Sequence, residues 1–485
     1  MNARPSDVTG PALVWLRDDL RLADNPALAA AAAGGRPVTV AYVLDDAPAR
    51  RPLGGACRWW LHRSLTALAA DLATRGVPLV IRRGDPAEVV PALAAETGAA
   101  LVTWNRRYEI AARELDATVK AELIGRGVRA ESHNGHLLAE PWTVRTKAGE
   151  WFRVFTPFWK ATRLLVDDAP GPIPVPERIV AAPDVPSLAI ADLGLAPRAP
   201  DWSGGLAATW TPGEAGARAR LAAFLDGRLV RYAAARDFPD ASATSELSPH
   251  LRFGEISIRT VYEASRHHAA ATGIAERTLA KFQAELGWRE FSYHLLYHFP
   301  DLPRRNFQPR FDGFPWREPD PSAIAAWRHG ETGYPVVDAG MRQLWTTGTM
   351  HNRVRMIVAS FLVKHLLVDW RIGEDWFWDT LCDADPANNA AGWQWVAGSG
   401  ADAAPYFRVF NPVLQGEKFD PDGRYVRRFV PELADLPSAV VHRPWQCDGV
   451  KPGGRGRRSY PAPIVDHAAA RERALGAFSS LKAGA

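Results

Sequence analysis

Residues 382–412, CDADPANNAAGWQWVAGSGADAAPYFRVFNP, gather Asp383, Asp385, Asn388 and Asn389 with a Trp-x-Trp pair, Trp393 and Trp395, in one Gly- and Ala-softened segment. A buried polar group without a partner costs about 1–3 kcal/mol, and a charge costs more, so this cluster asks for donors. A ligand rich in hydrogen-bonding groups would supply them. So would Arg289 and Arg355, whose planar guanidinium suits bidentate pairing with a carboxylate. A divalent cation is the competing partner for oxygen ligands, but the chain has neither an EF-hand loop nor a dense carboxylate set, and no metal is expected.

Two further groups repeat the theme. Glu285, Trp288 and Arg289 stand at i, i+3 and i+4, which places them on one face of a helix. A carboxylate beside a guanidinium and an indole can grip a flat, hydrogen-bonding ligand, although an amphipathic helix with a surface ion pair has the same spacing. Asn352, Arg355 and Met356 repeat the geometry, and two such faces favour a pocket. Three other patterns carry less. His294 and His298 lie one helical turn apart without a third ligand, so a packed pair is expected and not a zinc site. Gly398-Ser399-Gly400 followed by Ala403 imitates a dinucleotide fingerprint but follows no predicted strand. The basic run 451–458, KPGGRGRR, reads as a solvated loop.

The elements that must position these residues divide along the chain. Short β-rich runs at 13–16, 38–43, 79–81 and 101–104 alternate with helical patterns such as 56–74 and 85–96, the pattern of a doubly wound α/β domain with a parallel sheet. Asp85-Pro86 opens the second of those helices and Gly76 ends the first. From 167 to 213 the composition turns to Pro, Ala, Gly and scattered charge without periodicity. Beyond 214 helical periodicity dominates, for instance at 274–297, 338–347 and 351–369. The expected organisation is an α/β domain at 10–140, a connection at 141–213 and an all-α domain at 214–475.

Composition narrows the function classes. The 485 residues are 47% hydrophobic and 23% charged, with a net charge of +4, which describes an ordinary folded protein with room for two domains. Cys57, Cys382 and Cys447 are too few and too scattered for a disulfide framework, which points to a reducing compartment, the cytoplasm. No apolar run approaches a bilayer span and the first ten residues lack a signal-peptide core, so no membrane partner is expected. Trp, at 19, equals Phe and exceeds Tyr at 10, an excess suited to stacking or electron transfer as well as to packing.

In order along the chain, Val14-Trp15-Leu16-Arg17-Asp18-Asp19-Leu20-Arg21-Leu22, Asp24-Asn25-Pro26, Thr244-Ser245-Glu246-Leu247-Ser248-Pro249-His250-Leu251, Leu286-Gly287-Trp288-Arg289-Glu290-Phe291, Thr332-Gly333-Tyr334-Pro335, the run from Met350 to Met356 and the polar segment closely resemble the photolyase/cryptochrome family. Within it they are most similar to the enzymes that reverse cyclobutane pyrimidine dimers in DNA.

The resemblance implies an N-terminal α/β domain and a C-terminal helical domain that binds FAD. It implies that Tyr232, Thr244, Ser245, Glu246, Leu247 and Ser248 hold the FAD phosphates and ribityl chain, with Glu246 at the variable centre of that motif. Phe282, Arg289, Arg355, Asp383, Ala384, Asp385 and Asn389 would line the cofactor site, with Asn389 facing flavin N5. Asn is the photolyase choice there, where plant cryptochromes carry Asp and animal ones Cys. Glu285, Asn352 and Met356 would meet the lesion, Trp288 and Trp395 would wall a flipped-out dimer, and Arg289 and Arg353 would contact DNA. Trp393, Trp370 and Trp316 match the family's electron-transfer chain. The implied reaction is light-driven dimer repair, by a monomer, with a cryptochrome-type blue-light photoreceptor as the alternative.

Departures from the family pattern fall at Phe282 and Thr349, each in place of a Trp. Arg58 and Glu109 resemble part of a deazaflavin or FMN antenna arrangement, while Arg107 replaces an expected acid and Ala111 and Ala112 replace folate-type residues. Folate, deazaflavin, FMN and no antenna stay open.

Overall fold

The computed structural model describes residues 9–47, 50–403, 407–447 and 459–483; the basic run 451–458 and Tyr406 of the polar segment lie outside them. By compactness the chain falls into two units, residues 1–152, 156–229 and 245–300, and residues 153–155, 230–244 and 301–485.

The first unit is built on a parallel sheet. Strands β1 (Ala12–Leu16), β2 (Pro37–Leu44), β3 (Leu79–Arg83), β4 (Leu101–Asn105) and β5 (Arg129–His133) run in the order β3-β2-β1-β4-β5, and β6 (Val180–Ala181) pairs with the start of β2. Alternate residues of the strands, Leu13, Trp15, Ala41, Val43, Val102 and Trp104, face Val90, Leu93, Val119 and Leu123 of helices Pro86–Glu96 and Ile110–Gly125 in one core. The strands expected at 13–16, 38–43, 79–81 and 101–104 are present, each slightly longer. β5 was not foreseen. Its sequence, Arg-Ala-Glu-Ser-His, has no apolar β-forming run, and it is a strand because its backbone completes the edge beside β4 from Leu101 to Asn105.

Local signals set the helix ends. Asn25 accepts from the Leu28 amide at 3.1 Å and Asp85 from the Ala87 amide at 3.0 Å, and in both helices Pro follows at the first position. Four helices that follow residue 213, Glu214–Gly227, Ser248–Arg252, Ile258–Thr272 and Glu276–His298, belong to this first unit, so the compact boundary does not fall at 214. The stretch 141–213 is not bare connection; it carries helix Phe155–Asp167, β6 and helix Gly204–Thr209.

The second unit is helical among its described residues. The periodic stretch 351–369 is not one helix: Asn352–Ser360 runs into a π turn, Phe361–His365, and helix Trp370–Thr380 starts after Leu367, which has φ 53°. A π turn widens the helix by one residue per turn while leaving apolar residues inward, so hydrophobic periodicity alone does not reveal it. Against helix Trp370–Thr380 packs helix Asn388–Ala397. The two approach closely because Gly373 has no side chain; a Cβ there would lie 2.1 Å from the Trp393 ring.

Candidate functional site

In the first unit, helix Glu276–His298 carries Glu285, Trp288 and Arg289 half-buried on one face, as their spacing requires. Arg289 departs from its expected use. Its Nη1 donates to the His136 carbonyl at 3.0 Å, its Nη2 meets His136 Nε2 at 2.8 Å, and its guanidinium lies 5.1 Å from the Tyr293 ring centre. It is engaged by these neighbours and does not serve as a donor reserved for the acidic cluster. Burial, with Arg289 beside it, holds His136 well below the usual imidazole range, so its ring can accept that bond. Glu290 accepts from the Leu138 amide at 2.8 Å and is pushed up to about 7 by burial. Trp288 stands edge-on to Phe291 at 5.9 Å, and buried Phe282 packs on Phe224 at 4.6 Å.

The Ser245-Glu246-Leu247-Ser248 segment has an unusual backbone. Glu246 has φ 55° and Leu247 φ −94°, ψ −5°. A left-handed followed by a right-handed residue turns successive N–H groups toward one point, an anion-cradling nest, at a cost of about 1–2 kcal/mol for a side-chain-bearing residue. Among the described residues no acceptor takes the amides of Glu246, Leu247 or Ser248. The following helix, Ser248–Arg252, is anchored: His250 Nδ1 bonds the Glu255 carboxylate, which also accepts from Trp60 Nε1 at 2.9 Å. His250, Glu255 and Trp60 are fully buried.

In the second unit the acidic cluster is organised from within. Arg355 donates through Nη2 to both oxygens of Asp383, at 2.8 and 3.1 Å, and through Nε to the Met350 carbonyl at 2.7 Å. The expected pairing exists, with a single nitrogen spanning the carboxylate where a two-nitrogen fork was anticipated. Asp385 Oδ1 accepts from the Ala387 and Asn388 amides and from Asn388 Nδ2, at 2.7 to 2.9 Å, and so opens helix Asn388–Ala397. Asn389 Nδ2 donates to the Glu374 carbonyl at 3.0 Å and to its Oε1 at 2.8 Å. Two acceptors on that side fix which end is the nitrogen, and no donor among the described residues engages Oδ1. Ala384 is buried. Tyr232, also in this unit, is buried under the Arg236 guanidinium, 5.4 Å from its ring centre, and Thr244 is half-buried.

Helix Asn352–Ser360 turns Val354, Ile357 and Val358 to the core and leaves Asn352 exposed, with Arg355 and Met356 half-buried. Arg353 donates to Asp237 at 3.0 Å and lies over Phe419, 4.4 Å from its centre. The helix is capped by His351, whose Nδ1 accepts from the Arg353 amide at 3.2 Å. That bond needs a neutral ring, and burial lowers His351 from 6.5 to about 4. Between pH 6.5 and 4 the unfolded chain therefore binds a proton that the folded cap refuses, so stability is lost as pH falls. His351→Asn keeps a capping oxygen without a titrating ring; melting temperature against pH should fall less steeply in that variant than in wild type across this window. Parallel curves would remove His351 from the account.

The indoles are graded in depth. Trp393 is buried against Phe377 and Trp327, at 5.0 and 6.3 Å between ring centres. Trp370, fully buried, donates from Nε1 to Asn306 at 2.9 Å, and Trp316 is half-buried beside Phe314 at 4.4 Å. Trp395, two residues from Trp393 and so on another face, is half-buried with Nε1 bonded to the Asp402 carbonyl at 3.1 Å.

The antenna residues have different partners. Arg58 donates to the Gly194 carbonyl at 3.0 Å, whereas Glu109 pairs with Arg107, which also reaches Asp18 at 3.1 Å. Among the described residues there is no cluster of three metal-ligating side chains, and no helix is long and apolar enough to cross a membrane. Sequence reasoning missed Glu374, His136 and Asp237, which orient Asn389, Arg289 and Arg353. His136 and Asp237 lie more than a hundred residues from their partners, beyond any spacing rule.

A family model for DNA photolyase matches residues 12–177, and one for the FAD binding domain of DNA photolyase matches residues 282–480. The chain is 51% identical to a deoxyribodipyrimidine photo-lyase of Agrobacterium fabrum over 98% of both chains. A crystal structure of a bacterial class III photolyase from Agrobacterium tumefaciens superposes with TM-score 0.92 at 50% identity, covering 98% of each chain. Cryptochrome-2 of Arabidopsis thaliana is 38% identical over 96% of this chain and 78% of its own.

Proposed function

This chain belongs to the DNA photolyase family, and from that premise we propose that it repairs cyclobutane pyrimidine dimers in DNA with light, using bound FAD. The observation that carries the reading is Asn389: Glu374 engages its amide nitrogen, so the side chain offers a neutral carbonyl oxygen where a flavin ring is expected. The nest of unengaged amides at Glu246, Leu247 and Ser248 suits the FAD diphosphate. Reduced FAD, when bound and excited by blue or near-ultraviolet light, supplies the electron that splits the cyclobutane ring and takes it back, so the reaction has no net redox change.

The protein's own residues do the rest. Ser245, Leu247 and Ser248, with Tyr232 and Thr244, hold the phosphates and ribityl chain, and Arg355 with Asp383 fixes the polar edge of the cofactor. Phe282, Ala384 and Asp385 shape its surroundings. Glu285 hydrogen-bonds the dimer bases, and Asn352 and Met356 also meet the lesion. Trp288 and Trp395 each offer an indole face to flipped bases, where stacking contributes about 1–3 kcal/mol per base against the cost of extrusion. Arg353 contacts DNA, and Arg289 acts through His136, holding the helix that presents Glu285 and Trp288. Trp393, Trp370 and Trp316 relay electrons inward when the flavin is oxidised. Residues 10–140 serve as the antenna domain, and residues within 214–475 carry cofactor and lesion, while 141–213, with its own helices and β6, links the two stretches in sequence. The antenna site is proposed without a chosen chromophore, and the protein acts as a cytoplasmic monomer.

A cryptochrome-type photoreceptor is the second reading, favoured by the likeness to the plant protein; Asn389, where those proteins carry Asp, argues for repair. Purified, FAD-loaded and reduced protein should remove dimers from DNA under blue light and not in the dark. Equal dimer counts in light and dark would overturn the enzyme reading.

A further inference from the structure

We propose that Glu246 is a positioning residue for the FAD phosphates, holding the nest at residues 246–248 open through an ion clasp to Arg220 and Arg228 while its own side chain stays away from the cofactor. The inference rests on the FAD reading above and concerns how this chain keeps the cofactor.

One carboxylate oxygen of Glu246 accepts from Arg220 Nη1 at 2.8 Å and from Arg228 Nη1 at 2.9 Å. Both arginines belong to a rigid element: Arg220 lies in helix Glu214–Gly227 and Arg228 is its C-cap. Arg220 is fixed further, donating to the Thr209 carbonyl and lying 4.2 Å from the Trp210 ring centre. The clasp therefore ties the segment that precedes helix Ser248–Arg252 to a framework residue on another helix.

Two facts give the clasp a purpose. Glu246 has φ 55°, a conformation that glycine and asparagine adopt readily and glutamate does not, so something must hold it there. The unengaged amides of Glu246, Leu247 and Ser248 converge only in that conformation. A free carboxylate in the same segment would also repel a diphosphate. Drawn onto two guanidiniums, it is neutralised, and one net positive charge remains beside the nest. The side chains are partly exposed, 38% for Glu246, 23% for Arg220 and 29% for Arg228, and a single surface pair would contribute little. The shared carboxylate and the left-handed backbone set this cluster apart.

The test measures FAD release from wild type, E246Q, E246N and E246G by recovery of free-flavin fluorescence, alongside melting temperatures of the apo and holo forms. Expected is FAD release about tenfold faster in E246Q, with the holo melting temperature falling more than the apo one. E246N and E246G suit a positive φ, so faster release from them as well assigns the effect to the clasp and not to backbone strain. R220M combined with E246Q should be no worse than E246Q alone. Unchanged release from E246Q, or equal loss of melting temperature in apo and holo forms, overturns the clasp. Wild type that takes up no FAD overturns the proposed function together with it.

Discussion

Arg355→Met should strip FAD from the protein. Asp383 has a side chain only 5% exposed and takes both of its close donor contacts from one nitrogen of Arg355. Removing the guanidinium leaves a buried carboxylate without its counter-ion, a change that costs about 3–5 kcal/mol where a buried pair is broken from one side. The loss appears in folding stability and, because Arg355 and Asp383 border the proposed cofactor site, in affinity. We expect FAD to bind on the order of 100-fold more weakly, the equivalent of about 3 kcal/mol. Asp383→Asn is the milder partner: it removes the charge but keeps an oxygen that can accept from Arg355, and should weaken binding by about tenfold. The double variant Arg355→Met/Asp383→Asn should recover part of the loss, since no uncompensated carboxylate remains. Equilibrium titration of apoprotein with FAD reads all three. An Arg355→Met protein that folds and retains wild-type affinity would place the pair outside the cofactor's surroundings.

Trp370→Phe should separate flavin photoreduction from repair. Trp370 is fully buried, anchored to Asn306, and stands three residues before Gly373, against which Trp393 packs. Phenylalanine fills most of the same volume but is far harder to oxidise, so it interrupts the relay without emptying the core. Starting from oxidised flavin and an external reductant, light-driven reduction should slow by on the order of 100-fold, a barrier increase of about 2.7 kcal/mol. Protein reduced chemically beforehand should repair dimers at the wild-type rate, because that cycle needs no electron from outside. Undiminished photoreduction in the variant would move the route elsewhere. Slowed repair in the pre-reduced protein would mean that Trp370 supports the fold of the site and not the relay.

Much of the frame is legible from local pattern. β1, β2 and β4 announce themselves as apolar runs because each is buried on both faces of a parallel sheet, and β3, at one edge, shows through its short apolar start, Leu79-Val80-Ile81. β5 does not, since its edge position lets polar residues form a strand. The Arg355–Asp383 pair follows from residue type alone: a buried carboxylate needs a cation and a planar guanidinium is the apt one. Asp385 shows the opposite lesson. By residue type its carboxylate calls for outside donors, yet two backbone amides and Asn388 engage it, a local competition that the Asp-Pro-Ala-Asn order already signals. Arg289 misled for a different reason. Its spacing from Glu285 places it on the proper face of the helix, but its partner His136 lies 153 residues away, and helical spacing carries no information about which distant element fills the space opposite.

The missing side chain at Gly373 has a consequence for how this region tolerates change. Electron hopping falls off steeply with the gap between donor and acceptor, and in the proposed relay the placement of Trp393 depends on volume at Gly373, a residue with no redox chemistry of its own. A single methyl group at 373 would collide with Trp393 and force one of the two helices aside. A drifting sequence could therefore keep all three indoles and still lose the relay. Conversely, a chain with the same tryptophans but a bulkier residue at this point would be expected to conduct differently. The inventory of aromatic residues is thus a poor guide to conduction unless the smallest residue between the two helices is counted with them.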